Sequence, residues 1–287
     1  MNDKLLTFPF IQNGLELKPG KQAPIAGMTL RAAGTMRFRW NETNPTRQLL
    51  LQKIRGSREI VPVELIHSHI VYDVHNASDT HNLQGDGIIT TNTSLIPTVT
   101  VADCMPLFLW DPVTKVFGIV HSGWKGTGIA AQAINLAKQK YNSRPEDFCV
   151  ILGPHIHDCC YIVNQERADY FTQNFGAECV KPLEEGGNCY CGGRGFPVAW
   201  NNGGGPLFRL SLEKANLYSL EKAGVKKENI NIINECTCCN ERFGSNRRET
   251  VLNGQPDSFT VQAAFINLQM DLSFAPFFFG VPSVIQL

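Results

Sequence analysis

Thr100-Val101-Ala102-Asp103-Cys104-Met105-Pro106-Leu107-Phe108-Leu109-Trp110, then Asp111-Pro112-Val113-Thr114, then Lys115-Val116-Phe117-Gly118-Ile119-Val120-His121 reads as two apolar runs joined by turn residues. Such runs predict a β-hairpin. If Trp110 pairs with Lys115 across a four-residue turn, Cys104 falls opposite His121; a slip of one residue makes the pair diagonal. Either register leaves a thiol and an imidazole near enough to share a metal ion or a proton. The plain alternative is a buried cysteine beside a satisfied core histidine.

A second histidine lies upstream in Val63-Glu64-Leu65-Ile66-His67-Ser68-His69-Ile70-Val71, a stretch of strand-like composition. His67, Cys104 and His121 together offer two nitrogens and one sulfur. That set suits zinc or copper, whereas magnesium and calcium want oxygen ligands. Three protein ligands leave a tetrahedral ion one open position, the mark of a reactive rather than a structural site.

The chain has 287 residues, 43% of them hydrophobic, enough to bury a large core, and no linker divides it. Lys and Arg total 26 and so do Asp and Glu, so no overall field points to nucleic acid or an anionic membrane. Small neutral or singly charged substrates fit better. No apolar run reaches spanning length and the first ten residues lack a signal-peptide pattern, which predicts a soluble, cytoplasmic protein. Ten cysteines are many for that compartment, where disulfides are rare. Cys189-Tyr190-Cys191 and Cys236-Thr237-Cys238-Cys239 could jointly supply four thiolates to zinc, but one-residue spacing favours reduced structural thiols.

Along the rest of the chain, Gly27–Arg31 and Gly34–Trp40 are expected as early strands, and Asn44-Pro45 opens a helix bearing Leu49, Leu50, Leu51 and Ile54. Gly85-Asp86-Gly87 turns into a short strand; Asp86 could orient a ligand histidine, join a substrate site or shape the turn, and turn chemistry is favoured. Ser122–Gly128 leads into a helix from Ile129 to Tyr141, a glycine-rich start that could offer amides to an anion. Phe148–Pro154 is a buried strand. Beyond it His155 and His157 point to opposite faces if the chain is extended. Residues 186–205 read as a long mobile loop, Ser211–Ala223 as a helix, and Ile230–Glu235 and Phe259–Ile266 as strands. In Phe243–Arg248, Arg247 and Arg248 are candidates for holding phosphate or a carboxylate, with Ser245 and Lys125 as further polar candidates. Phe274–Phe279 forms an aromatic tail.

With these residues in hand, the chain resembles the YfiH-type family, also called the laccase-domain or polyphenol oxidase family and known for purine nucleoside enzymes. The anchors are Val99–Cys104, His121–Gly126, Gly153-Pro154 and Cys160-Tyr161, with Asn216 and Ser245–Arg248 as weaker ones. The match covers about residues 30–267 of a single domain, 1–287, and leaves 268–287 as a tail. It departs at Leu65, where the family has glutamine, at Lys125 for arginine and at Asn246 for tyrosine. The resemblance implies an α+β fold, one αββα-type layered domain of mixed sheets flanked by helices, similar to cysteine-hydrolase-like bacterial toxins. It also implies that His67, Cys104 and His121 form the metal and catalytic site, and that the substrates are adenosine, inosine, guanosine or methylthioadenosine, with phosphate.

Three chemistries stay open at this point. A zinc enzyme could deaminate adenosine with an activated water at C6, or bring phosphate to C1′ of the ribose. A four-copper laccase needs about ten imidazoles. This chain has seven histidines, so only a single copper at the same ligands remains. A metal-free reading makes Cys104 a nucleophile and His121 its base. A metal-stabilised binding module is the non-enzymatic reading.

Overall fold

In the strand Met105–Trp110, side chains alternate between two buried faces, and both faces are filled. Phe108 and Trp110 pack with Phe117, Ile119 and Ile151 into one core, whereas Leu107 and Leu109 pack with Val120, Val150 and Leu152 into another. A strand apolar on both sides needs a layer above and a layer below. The computed structural model supplies both. It describes residues 3–183, 205–253 and 258–268, with the backbone strands Cys189–Cys191 and Arg194–Phe196; for 251–253 only the backbone is described.

The central sheet has six strands in the order Ile230–Ile232, Cys149–Leu152, Met105–Trp110, Phe117–Ser122, Gly87–Thr90 and Val71–Asp73. The outermost pair at each edge is parallel and the inner pairs are antiparallel. A five-stranded sheet, Leu5–Phe8, Ile25–Thr29, Gln262–Asn267, Leu95–Val101 and Glu59–Pro62, lies against one face. Phe8, Met28, Val99, Val101 and Ile266 meet Phe108, Trp110 and Phe117 between the sheets. The opposite face carries α2 (Ile129–Tyr141), α3 (Gln165–Phe175) and α4 (Leu212–Ala223) through Ile129, Ala133, Ile134, Phe171, Ala215 and Leu220. Outside the five-stranded sheet, α1 (Pro45–Arg55) packs Leu51 with Ala263. The order helix, sheet, sheet, helices is the αββα layering that the resemblance implies.

Local chemistry sets the helix starts. Asn44, Asn164 and Ser211 each accept a bond from the amide three residues on, and Pro45 occupies the first turn of α1. Caps of this kind contribute about 1 kcal/mol each. α5 (Asn246–Asn253) begins at the paired arginines. Among the described residues no helix is long and apolar enough to cross a membrane.

Several expectations need correction. Gly34–Trp40 forms no strand. Val63–Ile70 is not a strand either, because the chain leaves the five-stranded sheet after Pro62 and joins the edge of the six-stranded sheet only at Val71. The hairpin is longer in its turn: Trp110 pairs with Phe117 and His121 with Pro106. Asp111 accepts from the amides of Val113 and Thr114 and from the Thr114 hydroxyl, and Lys115 takes a positive φ of 64°. This side-chain turn takes up two more residues than a four-residue loop would, which moves every partner by two. His155 and His157 are not on opposite faces; their rings lie 4.7 Å apart because the chain is no longer extended beyond Leu152. Of residues 186–205, a short ladder pairing Cys189–Cys191 with Arg194–Phe196 and the lead-in to the strand Leu207–Leu210 are described; the rest lies outside the described residues, as do the side chains of Cys189 and Cys191 and the tail Phe274–Phe279.

Candidate metal centre

The corrected register puts Gly123 across from Cys104, one step past the pair Ser122–Met105. A Cβ at position 123 would lie 2.7 Å from Cys104 Sγ and 3.3 Å from His67 Cδ2. No side chain fits there, so a glycine lets the two strand ends and the His67 loop converge. Asp103, at φ 77°, turns the chain into the strand, and His67 is itself left-handed at φ 59°. Non-glycine residues hold such conformations at a cost of order 1–3 kcal/mol and need surrounding bonds to do so.

Asp86 provides those bonds for His67. Its Oδ1 accepts from the His67 amide at 3.0 Å, and its Oδ2 accepts from the Ser68 amide at 2.6 Å and the Ser68 hydroxyl at 2.7 Å. The same Oδ1 lies 2.9 Å from His121 Nδ1. A carboxylate held below its usual range only accepts, so Nδ1 carries a proton and Nε2 is the nitrogen left to hold either a second proton or a metal ion. Burial opposes the Asp86 charge, but His121 and Ser68 outweigh it. Turn shaping was the favoured sequence reading for Asp86. The structure gives it the orienting role instead, common to histidine ligands of metals.

His67, Cys104 and His121 each present a ligand atom, and the three lie within 4.8 Å of one another. The two imidazole rings meet edge to face with centroids 5.0 Å apart. His121 is buried, Cys104 half-buried and His67 exposed, so the site opens to solvent on the His67 side. Burial works against a Cys104 thiolate, yet the charge and hydrogen bond of His121, helped by His67, bring the thiol down to about 6. His121 is likewise opposed by burial and raised by Cys104 and Asp86 to about 9. Without a metal the pair is therefore a thiolate beside an imidazolium. A divalent cation can replace that shared proton, and the donor set fits zinc or copper.

The other expected residues are spread unevenly around this centre. Lys125 is exposed, with its ammonium 5.5 Å from the Trp124 ring. Ser245 is buried and donates to Asp103 Oδ2 at 3.0 Å. Arg247 donates its amide to the same oxygen at 2.6 Å and its guanidinium to the carbonyls of Cys160 and Ile162. Arg248, 4% exposed, was expected as an anion ligand. Its guanidinium instead bonds the carbonyls of Thr237, Cys238, Asn240 and Phe243, which makes it a brace for the turn beneath the site. The amides opening α2 already have acceptors, since Ile129 donates to Gly126 and Gly128 reaches Asn216 Oδ1 at 3.5 Å. Asn216 also receives the Ser122 hydroxyl, joining α4 to the end of the His121 strand.

Two residues not singled out from sequence belong to this surrounding. Asp103 accepts from Thr237, Ser245 and Arg247 together and pins the Cys104 loop to two later segments. Burial pushes its carboxyl up to about 7 against those donors. Arg167 of α3 lies 3.9 Å over the Trp124 ring and donates to the Tyr161 hydroxyl at 3.2 Å, while its buried Nε has no partner among the described residues. Arg247 lies 5.9 Å from the same Tyr161 ring. Burial raises the Tyr161 phenol, and Cys104 is close enough to add to that rise. Asp103 sits in the quoted motif, so its position was visible. Arg167 carried no signal, being one cation on a polar helix.

A family model described as multi-copper polyphenol oxidoreductase laccase matches residues 41–261. The chain belongs to this laccase-domain family. Family members are metal-binding, and the cluster of His67, Cys104 and His121 is where this chain can do the same. Among its relatives, a purine nucleoside phosphorylase of Clostridium acetobutylicum is 32% identical over 200 residues, covering 68% of this chain and 74% of that one. Purine nucleoside phosphorylase LACC1 of Mus musculus is 31% identical over 191 residues, 64% of this chain but 38% of its own length. This chain thus spans well under half of that relative. Purine nucleoside phosphorylase YlmD of Geobacillus stearothermophilus is 29% identical over 177 residues, 61% of this chain and 58% of that one. Enzymes are therefore found within the family. The solved Bacillus licheniformis YfiH structure superposes with a TM-score of 0.70 at 23% identity, over 86% of this chain and 93% of that one, and Geobacillus YlmD with 0.68 at 24%, over 92% and 100%. At that identity they support the shared fold.

Proposed function

We propose that this protein is a metal-dependent purine nucleoside phosphorylase, with His67, Cys104 and His121 holding zinc and phosphate as the second substrate. One observation carries the reading: three soft and borderline donors from three separate segments converge, with Asp86 fixing the tautomer of one. The names of the relatives turn that general metal chemistry toward nucleosides and phosphate.

A bound zinc ion would supply a Lewis acid at the solvent-facing side of the cluster. Phosphorolysis otherwise asks the protein for little covalent chemistry. Phosphate must be held in line with C1′ of the ribose, and the departing purine needs its developing negative charge neutralised. Arg167 and Arg247, whose guanidinium groups both lie near the Tyr161 ring, are the groups we assign to phosphate; the buried Nε of Arg167, without a partner among the described residues, supports this. Lys125, exposed beside Trp124, is assigned to substrate or phosphate as a further cation. Ser245, Asp86 and Arg248 act by positioning, as their buried partners require. Adenosine, inosine, guanosine and methylthioadenosine are the proposed nucleosides.

The deciding experiment incubates metal-quantified protein with each nucleoside, with and without phosphate, and separates the products. Phosphate-dependent release of the free base supports the proposal. Inosine formed from adenosine without phosphate would replace phosphorolysis by deamination. Phenol oxidation by copper-loaded protein, with no purine product from the zinc form, would sink the nucleoside reading.

A further inference from the structure

Linked to Asp103 through Thr237, four more sulfurs meet. Cys159 Sγ lies 3.5 Å from Cys160 Sγ, 3.8 Å from Cys236 Sγ and 3.6 Å from Cys239 Sγ, and Cys160 and Cys239 are 3.3 Å apart. All four lie within 4.8 Å of one another. These separations are well beyond the ~2.05 Å of a disulfide bond. They are close to the edge of a tetrahedron of sulfurs around zinc, which for a 2.3 Å zinc–sulfur bond is about 3.8 Å. We propose that Cys159, Cys160, Cys236 and Cys239 form a second metal site, a closed tetrathiolate zinc centre that staples two loops beneath the first site.

The sequence reading had joined Cys236–Cys239 to Cys189 and Cys191. The fold supplies a different partner pair. Cys236 and Cys239 have a two-residue spacing, the ordinary knuckle, and a parallel bridge between His155 and Cys236 brings the Asp158–Cys160 turn against it. The Thr237 amide donates to His155 O and the His155 amide to Glu235 O, so backbone bonds fix the approach of the two loops.

The surroundings suit an anionic centre. Binding would release the thiol protons and leave four thiolates around a divalent ion, two negative charges in excess. Three guanidinium groups hold the carbonyls of the same two turns: Arg209 those of Asp158 and Cys159, Arg247 that of Cys160, and Arg248 those of Thr237 and Cys238. The His157 amide donates directly to Cys236 Sγ at 3.4 Å. Cys160 and Cys236 are buried, and four protein ligands leave no open position, so the centre is structural. Thr237, within the knuckle, donates to Asp103 Oδ1 at 2.7 Å, which links this staple to the Cys104 loop. The inference uses none of the reasoning about nucleosides and stands or falls separately from it.

The test is metal counting on full-length protein purified anaerobically from zinc-supplied cells. Wild type should carry two zinc ions per chain, and Cys104→Ala should carry one. The doubly substituted Cys236→Ser, Cys239→Ser protein should also carry one. Because that variant could fail to fold, metal-free Cys104→Ala is also titrated with Co(II). One equivalent should bind with thiolate-to-metal charge transfer and the visible bands of a tetrahedral tetrathiolate. No binding, or binding without charge transfer, would overturn the proposal. So would a mass lower by the two hydrogens of a disulfide among these cysteines.

Discussion

Asp86 accepts the Nδ1 proton of His121 at 2.9 Å while the same oxygen holds the amide of His67. One carboxylate thus sets both the direction of one ligand's lone pair and the backbone turn that presents the other. Replacing Asp86 by Asn keeps the shape but supplies a neutral acceptor that can hold only part of this set. Zinc affinity in Asp86→Asn should fall by about 10- to 100-fold, as for other partners of metal-bound histidine. Competition against a chromophoric chelator measures it, and an unchanged affinity would dismiss the orienting role.

Gly123→Ala places a methyl 2.7 Å from Cys104 Sγ. The strand end must give way, at a cost of about 1–3 kcal/mol in stability for an overpacked site. Metal occupancy should drop much further than folding, because ligand geometry tolerates only small shifts. Circular dichroism and zinc content on the same sample separate the two; normal zinc content in a folded variant contradicts the geometry.

Metal removal should uncover Cys104. In the stripped protein its thiol is held down to about 6, so at pH 7 it is mostly thiolate and should alkylate quickly, slowing about tenfold per pH unit below that value. Cys149, buried and pushed up to about 12, should resist under the same conditions. Peptide mapping after brief iodoacetamide treatment, with and without zinc, reads both; equal labelling of Cys104 in both states would argue against metal ligation.

Arg167 is half-buried and has one donor without a partner among the described residues. Arg167→Met should raise the KM for phosphate by about 10- to 100-fold, the worth of a charge-assisted bond. The KM for the nucleoside should hardly move. A nucleoside effect without a phosphate effect would reassign this side chain.

Arg248 should matter to folding rather than to phosphate. Arg248→Met leaves several buried carbonyls without donors and should cost about 3–5 kcal/mol in urea denaturation. Arg248→Lys should recover little, since an ammonium cannot reproduce the planar fork. A stable variant with a raised phosphate KM would restore it to the anion site.

The sequence carried the layers well. Two-sided apolar runs such as Leu107–Trp110 and Val116–Val120, and capped periodic helices such as Asn44–Arg55 and Ser211–Ala223, depend on local patterns that a sequence displays directly. It also named His67, Cys104 and His121, because those donors are chemically conspicuous and two of them share a hairpin. What it misjudged were matters of partner choice. The turn at Asp111 moved the register by two, and the left-handed His67 left the strand, since Asp86 outbids the sheet for its amide.

Only the tertiary structure decided which cysteines meet and which cations are taken up by buried carbonyls. Cys159 and Cys160 stand 77 and 76 residues before Cys236, and no local pattern records that a parallel bridge closes the gap. Arg247 and Arg248 are adjacent in sequence, yet the helix start of α5 sends one toward Tyr161 and the other into a ring of carbonyls. Residue type determined what this chain could bind, whereas long-range backbone pairing determined where, because a ligand set is a property of distances that the linear order does not contain.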